Sequence, residues 1–176
     1  FVLASTGAAE KCESAYGTSK KAAEDCVREW CNYKNLPFTI FRFYNVIGSD
    51  GYKPTNPDGL MYNLINAINT GEFTIYGTDY ETIHGDGTCI RDYVHVMEVC
   101  DALKSAIEKS SNQIECLGHG VGYTVKEMVN LFQTVNDVDF DVKYGPRRKG
   151  DLASSVLEDV SPYMRNLYTL EELLKV

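Results

Sequence analysis

Phe1-Val2-Leu3-Ala4-Ser5 is a short apolar run that stops at small, polar residues, as a buried parallel strand does, and the residues after it decide the fold. From about Ser14 to Lys34 the period changes. Ala15, Ala22, Ala23, Cys26, Val27, Trp30 and Cys31 fall at i, i+3 and i+4 spacings, which predicts an amphipathic helix. Asn35-Leu36-Pro37 ends that helix, and Phe38-Thr39-Ile40-Phe41-Arg42-Phe43 is β-rich. Strand, helix and strand in this order predict a βαβ unit with a right-handed crossover in a mainly parallel sheet. Functional residues are then expected at the carboxyl ends of the strands, where Ser5, Thr6, Tyr44 and Asn45 lie.

Outward from this unit the chain loosens. Ser49 to Asp58 is rich in Gly, Pro, Asn and Asp and reads as a long loop leaving the sheet. Beyond it the pattern predicts helices near 60–69, 96–109 and 124–135. Strands are expected near 73–76, 113–117 and 140–144, with an extended piece at 89–93 and a polar loop over 77–88. The expected fold is α/β. Residues 1–48 form the C-terminal part of a Rossmann-like doubly wound sheet. Residues 49–176 form a smaller, mixed α/β substrate-binding domain, with some segments returning to the sheet.

Composition narrows the partners. With 17 basic against 25 acidic residues the formal net charge is -8, which opposes attraction to phosphate backbones and to anionic lipid, so neither nucleic acid nor membrane is an expected partner. No apolar run approaches the roughly 18 residues of a membrane span, and the start lacks signal-peptide features, so a soluble, cytoplasmic protein is expected. Six scattered cysteines without CxxC spacing favour reduced thiols over disulfides or zinc. The first residue is Phe1 rather than Met, and with the strand-like opening this predicts a piece of a longer polypeptide.

Tyr16 and Lys20 stand four residues apart on one helix face. A phenol with an ordinary pKa near ~10 becomes a useful base at neutral pH only if positive charge favours phenolate, and a lysine one turn away supplies some. The βα connection brings the hydroxyls of Ser5 and Thr6 towards the same turn, so hydroxyl, phenol and ammonium are expected to converge.

This arrangement resembles the short-chain dehydrogenase/reductase superfamily, whose Ser/Thr, Tyr and Lys triad moves a proton while NAD takes a hydride. Arg42-Phe43-Tyr44-Asn45-Val46-Ile47-Gly48 is similar to the R-Y/F-F/Y-N-V-x-G signature of its extended branch. Three further stretches resemble, in order, signatures of the UDP-glucose 4-epimerases: Ile75 to Tyr80, Asp86 to Val96, and Pro146-Arg147-Arg148-Lys149-Gly150-Asp151. The GxxGxxG dinucleotide fingerprint does not occur in residues 1–176, and the resemblance places it upstream of Phe1. The sequence therefore reads as a fragment lacking the N-terminal NAD-binding part, inactive by itself.

The resemblance implies a UDP-hexose 4-epimerase with NAD as cofactor, working through a 4-keto intermediate, with no metal, and dimeric at full length. Thr6, Tyr16 and Lys20 are its expected catalytic residues. Thr6 bridges the 4-hydroxyl, with Ser5 as the alternative; Ser5, Tyr16 and Lys20 are also expected at the cofactor, Lys20 on the nicotinamide ribose. Tyr44 lies against the nicotinamide and Asn45 holds the diphosphate or the sugar. Arg91 and Arg148 contact the UDP phosphates, Asp151 bonds the uridine ribose, and Leu60 lends backbone to the uridine pocket. Ser155, four residues after Asp151, stands where a tyrosine restricts the pocket to plain hexoses, so its small side chain implies entry of N-acetyl forms. A nucleotide-sugar 4,6-dehydratase and a non-catalytic nucleotide-sugar-binding module are the alternatives. The first requires Asp-Glu directly after the threonine, where Gly7-Ala8-Ala9 stands here.

Three segments depart from the family pattern: Asp58 to Met61, a longer loop at Thr82 to Gly85, and a shortened Ser161 to Leu167 that leaves the packing of the last helix open. Of the histidines, His95 starts a helix, His84 lies in a loop, and His119 stands just past a strand end. None is expected to bind metal or relay charge.

Overall fold

A computed structural model describes residues 1–48, 51, 53–82, 85–109, 111–165 and 167–176. His84 and part of the longer loop at Thr82 to Gly85 lie outside the described residues. In chain order the elements are β1 (Val2–Thr6), α1 (Ala8–Lys11), α2 (Ala15–Lys34), β2 (Thr39–Phe43), β3 (Asn45–Ile47), α3 (Leu60–Thr70), β4 (Glu72–Tyr76), β5 (Ile90–His95) and α4 (Val96–Lys109). They continue with β6 (Gln113–Leu117), β7 (Gly122–Thr124), α5 (Val125–Asn136), β8 (Asp141–Gly145), β9 (Ser154–Ser155) and α6 (Leu170–Leu174).

The expected βαβ unit is present: β1 and β2 pair in parallel, and β6 returns to lie parallel on the far side of β2. Helices cover both faces. Because side chains alternate along a strand, Leu3 and Ile40 turn to α2 and pack with Val27 and Cys31, while Val2 and Phe41 turn to α4 and pack with Val99 and Ala102. That is the doubly wound arrangement the strand, helix and strand order predicts. β1 pairs only with β2, so its other edge is open among the described residues.

Ser14 starts α2 by accepting from the Gly17 amide, and Asn35 ends it in the left-handed region at φ 51°. α1 crosses close over this start. A Cβ on Gly17 would sit 2.3 Å from the Ala8 carbonyl oxygen, so only glycine allows the two helices to meet there. The predicted stripe on α2 is corrected in one respect. Gly17, Glu24 and Cys31 are its buried residues, whereas Ala22, Cys26 and Trp30 are exposed, with the Lys34 amine 5.1 Å from the Trp30 ring centre. The apolar spacing specified the helix, but two apolar strips lie along it and the sheet covers only one.

A single residue, Tyr44, separates β2 in the first sheet from β3 in a second, where β3 and β9 pair in parallel with β5 and β7 pairs antiparallel with it. β4 and β8 form a third, two-stranded parallel sheet. The largest core lies under these two sheets and contains Leu64, Ile75, Met128 and Phe132 with Leu173 and Leu174 of α6. α6, whose packing the shortened segment before it left open, is thus anchored, and a reciprocal Thr169 and Glu172 cap starts it. Asn166 within that segment lies outside the described residues. β3, β7 and β9 are too short for periodicity to reveal.

Candidate active site

Strand alternation sorts the two hydroxyls at the end of β1. Ser5 turns to α2 with Leu3, is buried, and donates to Glu24 Oε1 at 2.6 Å. Arg42 closes the same carboxylate from β2, with Nε 3.0 Å from Oε1 and Nη2 2.8 Å from Oε2. Two cavities open at the strand ends, and neither Ser5 nor Lys20 lines either of them. Thr6 turns the other way, and its Oγ1 accepts from the Ala8 amide at 3.3 Å.

Glu24 is the residue that sequence reasoning passed over. The available signal was a carboxylate on the buried strip of α2, in phase with Val27 and Cys31. Burial works to raise its pKa, but the hydrogen bonds from Arg42 and Ser5 more than offset that and hold it below the usual carboxylate range. The ion pair ties α2 to β2 at the level of the site.

Tyr16 stands 60% exposed in the first turn of α2. One turn on, Lys20 directs its ammonium to the Ala4 carbonyl, 2.8 Å away. Among the described residues no hydrogen bond joins Thr6, Tyr16 and Lys20 to one another. Tyr44 packs its ring against Gly7, where a Cβ would lie 2.9 Å from its Cε2. Burial, with negative groups nearby, pushes the Tyr44 phenol up to about 12, so it keeps its proton at neutral pH.

The two cavities, of about 830 and 880 Å³, adjoin and share Tyr44, Asn45, Arg91 and Asp151 as lining. Thr6 and Ser155 line the first; Tyr16, Leu60 and Arg148 line the second. The sequence had separated these residues by up to most of the chain length, and the three sheets bring them together. Asn45 starts β3 and donates through Nδ2 to the Asp92 carbonyl at 3.0 Å. Arg91 donates to Asp151 Oδ1 at 2.5 Å and to the Ile90 carbonyl at 2.7 Å. Ser155 in β9 is the register partner of Arg91. The Arg148 guanidinium carbon lies 4.4 Å from the centre of the Tyr76 ring, and Tyr76 lines the second cavity too, a contact the sequence reading did not foresee.

Both described histidines serve the scaffold. His95 stacks on Tyr168 with ring centres 3.9 Å apart, and His119 Nε2 lies 2.8 Å from Glu98. Asp86, in one of the family-like motifs, accepts from the Thr88 amide and the Thr124 hydroxyl, fastening the start of α5. Among the described residues no group of His, Cys, Asp and Glu side chains could hold a metal ion, and no helix is long and apolar enough to cross a membrane.

A parallel sheet wound on both faces, with hydroxyl, phenol and guanidinium groups gathered beyond its strand ends, defines a Rossmann-like α/β protein. Residues 4–116 match the NAD dependent epimerase/dehydratase family, and the chain belongs to that family. It is 36% identical to the probable UDP-arabinose 4-epimerase 3 of Arabidopsis thaliana, with 92% of this chain and 43% of the relative covered. It is 32% identical to the UDP-glucose 4-epimerase of Rhizobium meliloti, with 80% and 46% covered. The chain thus spans less than half the length of either relative. Among solved structures, the UDP-glucose 4-epimerase of Thermotoga maritima with UDP-glucose superposes with a TM-score of 0.83 at 28% identity, covering 99% of this chain and 60% of that one. The Thermus thermophilus UDP-glucose 4-epimerase in complex with NAD gives 0.80 at 28% identity, covering 98% and 60%.

Proposed function

We propose that the full-length protein is an NAD-dependent 4-epimerase of UDP-sugars that interconverts UDP-glucose and UDP-galactose and also takes their N-acetyl forms. One observation carries this reading. A cavity holding Thr6 and Ser155 and a cavity holding Tyr16 and the Arg148–Tyr76 pair share one wall, so one continuous cleft takes a sugar towards Thr6, Tyr16 and Ser155 and a nucleotide towards Leu60 and Arg148. Similarity to UDP-arabinose and UDP-glucose 4-epimerases supports it.

The donor set fits the nicotinamide end of the cofactor: a phenol and an ammonium one helical turn apart beside the carboxyl end of a parallel strand. Tyr16 and Lys20 would hold that end, with Tyr44 alongside and Ser5 on the strand beside them. When bound, NAD supplies the two-electron acceptor for C4 of the sugar. Tyr16 takes the proton of the 4-hydroxyl, with Lys20 one helical turn further on. Thr6 accepts and donates a hydrogen bond at the same hydroxyl. Arg91 and Arg148 bind the diphosphate as planar forks, Asp151 the ribose, Asn45 the diphosphate or sugar, and the start of α3 at Leu60 the uridine. In this reading residues 1–48 serve the cofactor and residues 49–176 mainly the UDP-sugar. A cytoplasmic homodimer at full length rests on the family resemblance alone.

The test is conversion of UDP-galactose to UDP-glucose by the full-length polypeptide with NAD; no interconversion of any UDP-sugar would overturn the reading. In that assay Thr6→Val is expected to lower turnover by roughly tenfold, less than loss of the general base. Full activity of this variant would remove Thr6 from the mechanism. Ser155→Tyr is expected to suppress the N-acetyl pair selectively, because an added phenol overlaps a 2-acetamido group in a close-packed pocket. Equal kinetics on all four UDP-sugars before and after the change would show that Ser155 is not the gate.

A further inference from the structure

Arg147 and Arg148 are adjacent, yet they part onto two different tyrosines. β4 and β8 run in parallel, with Tyr76 opposite Gly145, so the loops leaving their carboxyl ends start side by side. The ladder runs on through the Gly77 amide, which donates to the Gly145 carbonyl at 2.9 Å. Beyond that point Arg148 turns into the nucleotide-side cavity and lies over Tyr76, while Arg147 turns out of it.

Arg147 is held at several points. Its guanidinium carbon lies 4.2 Å from the centre of the Tyr80 ring, its Nε donates to Asp79 Oδ1 at 2.7 Å, and its Nη2 donates to the Asp79 carbonyl. Tyr80 is a firm platform, only 5% exposed. The loop is shaped around this contact: Gly77 has φ +80°, and a Cβ there would lie 2.4 Å from Tyr80 Cε2 and 3.1 Å from Arg147 Cγ. Side-chain exposures of 47% for Arg147 and 73% for Asp79 mean that the ion pair does little for stability. Its effect is geometric, since it joins the loop after β8 to the loop after β4.

We propose that Arg147 is a positioning residue for nucleotide binding. Clasped to Tyr80 and Asp79, it fixes the turn from which Arg148 reaches Tyr76 and the cavity, and from which Asp151 reaches Arg91. This rests on the reading of that cavity as the nucleotide end. The planar fork is required, because an ammonium has neither the flat face that covers the ring nor the paired donors that reach both Asp79 oxygens.

The test is calorimetric titration of the full-length polypeptide with UDP, alongside kcat and KM on UDP-galactose. Arg147→Ala is expected to raise the Kd for UDP and the KM about tenfold, with kcat held within about twofold. Its Tm is expected within about 2 °C of the parent, and Arg147→Lys is expected to behave like Arg147→Ala. Asp79→Ala should weaken UDP binding less, and adding it to Arg147→Ala should weaken it no further. A parent protein that fails to bind UDP overturns the nucleotide reading of the cavity itself. A parent that binds UDP, with Arg147→Ala binding equally well, overturns the role of Arg147 alone. A joint fall of kcat and Tm in Arg147→Ala would mark the residue as structural and overturn it as well.

Discussion

Replacing Tyr16 by phenylalanine in the full-length polypeptide is expected to cut turnover of UDP-galactose by at least about 100-fold, with the fold and the KM nearly unchanged. The ring is 60% exposed in the first turn of α2, so losing its hydroxyl removes no buried contact. Three further tyrosines, Tyr44, Tyr76 and Tyr93, line the cleft. Tyr44, which lines both cavities, is pushed up to about 12 by burial and stays protonated where the enzyme would work. Unchanged turnover in Tyr16→Phe would take the residue out of the mechanism, whereas a fall in KM together with kcat would point to relief of ground-state strain instead.

The second large effect is on stability. Arg42→Ala leaves the Glu24 carboxylate, 1% exposed, with the Ser5 hydroxyl and the charge of Lys21 as what remains of its favourable surroundings. Stranding one member of a buried ion pair costs about 3–5 kcal/mol, far more than the intact pair is worth against an apolar replacement. The pH dependence has a definite sign. In the parent, burial raises the Glu24 pKa but hydrogen bonds from Arg42 and Ser5 bring the net below the ordinary carboxylate value. The pair therefore adds stability above the unfolded-state pKa, and this is lost as pH falls through the lower folded value. In the variant burial acts without Arg42, the carboxyl moves up, and protonation relieves it. The deficit of Arg42→Ala against the parent, measured by denaturant melts, should be largest near neutral pH and shrink on acidification. The double variant Glu24→Met/Arg42→Leu should recover much of the loss at neutral pH. A pH-independent deficit, or none, would mean that Glu24 finds another partner or water.

The fold was legible where length and period combine. The 20 residues of α2 between two β-rich runs specify the crossover, and α4 over Val96–Lys109 and β6 over Gln113–Leu117 lie where the spacing put them. The two-residue β9 has no period to read, and it places Ser155 beside Arg91 only through tertiary pairing. Of the expected site residues, Thr6, Tyr16, Tyr44, Asn45, Leu60, Arg91, Arg148, Asp151 and Ser155 line the paired cavities, whereas Ser5 and Lys20 line neither. Which hydroxyl faces a cavity was not legible: strand alternation turns Ser5 to Glu24 and Thr6 to the cleft. Tyr76 lies inside the family-like stretch Ile75 to Tyr80, but nothing along the chain shows which residue its ring meets. Its partner is Arg148, supplied from beyond the neighbouring strand β8.

The passage from β2 to β3 over Tyr44 alone also bears on how such a chain can change length. Both strands are held in parallel register, Phe43 opposite Thr6 and Leu117, and Asn45 opposite Tyr93. With side chains alternating by two, one residue gained or lost between them would turn Asn45 to the opposite face and carry it out of both cavities. There is no slack to absorb an insertion. The stretch at 53–59 has no ladder to keep and can lengthen at small entropic cost. Changes of chain length should therefore enter there, leaving the count from Thr39 to Ile47 untouched.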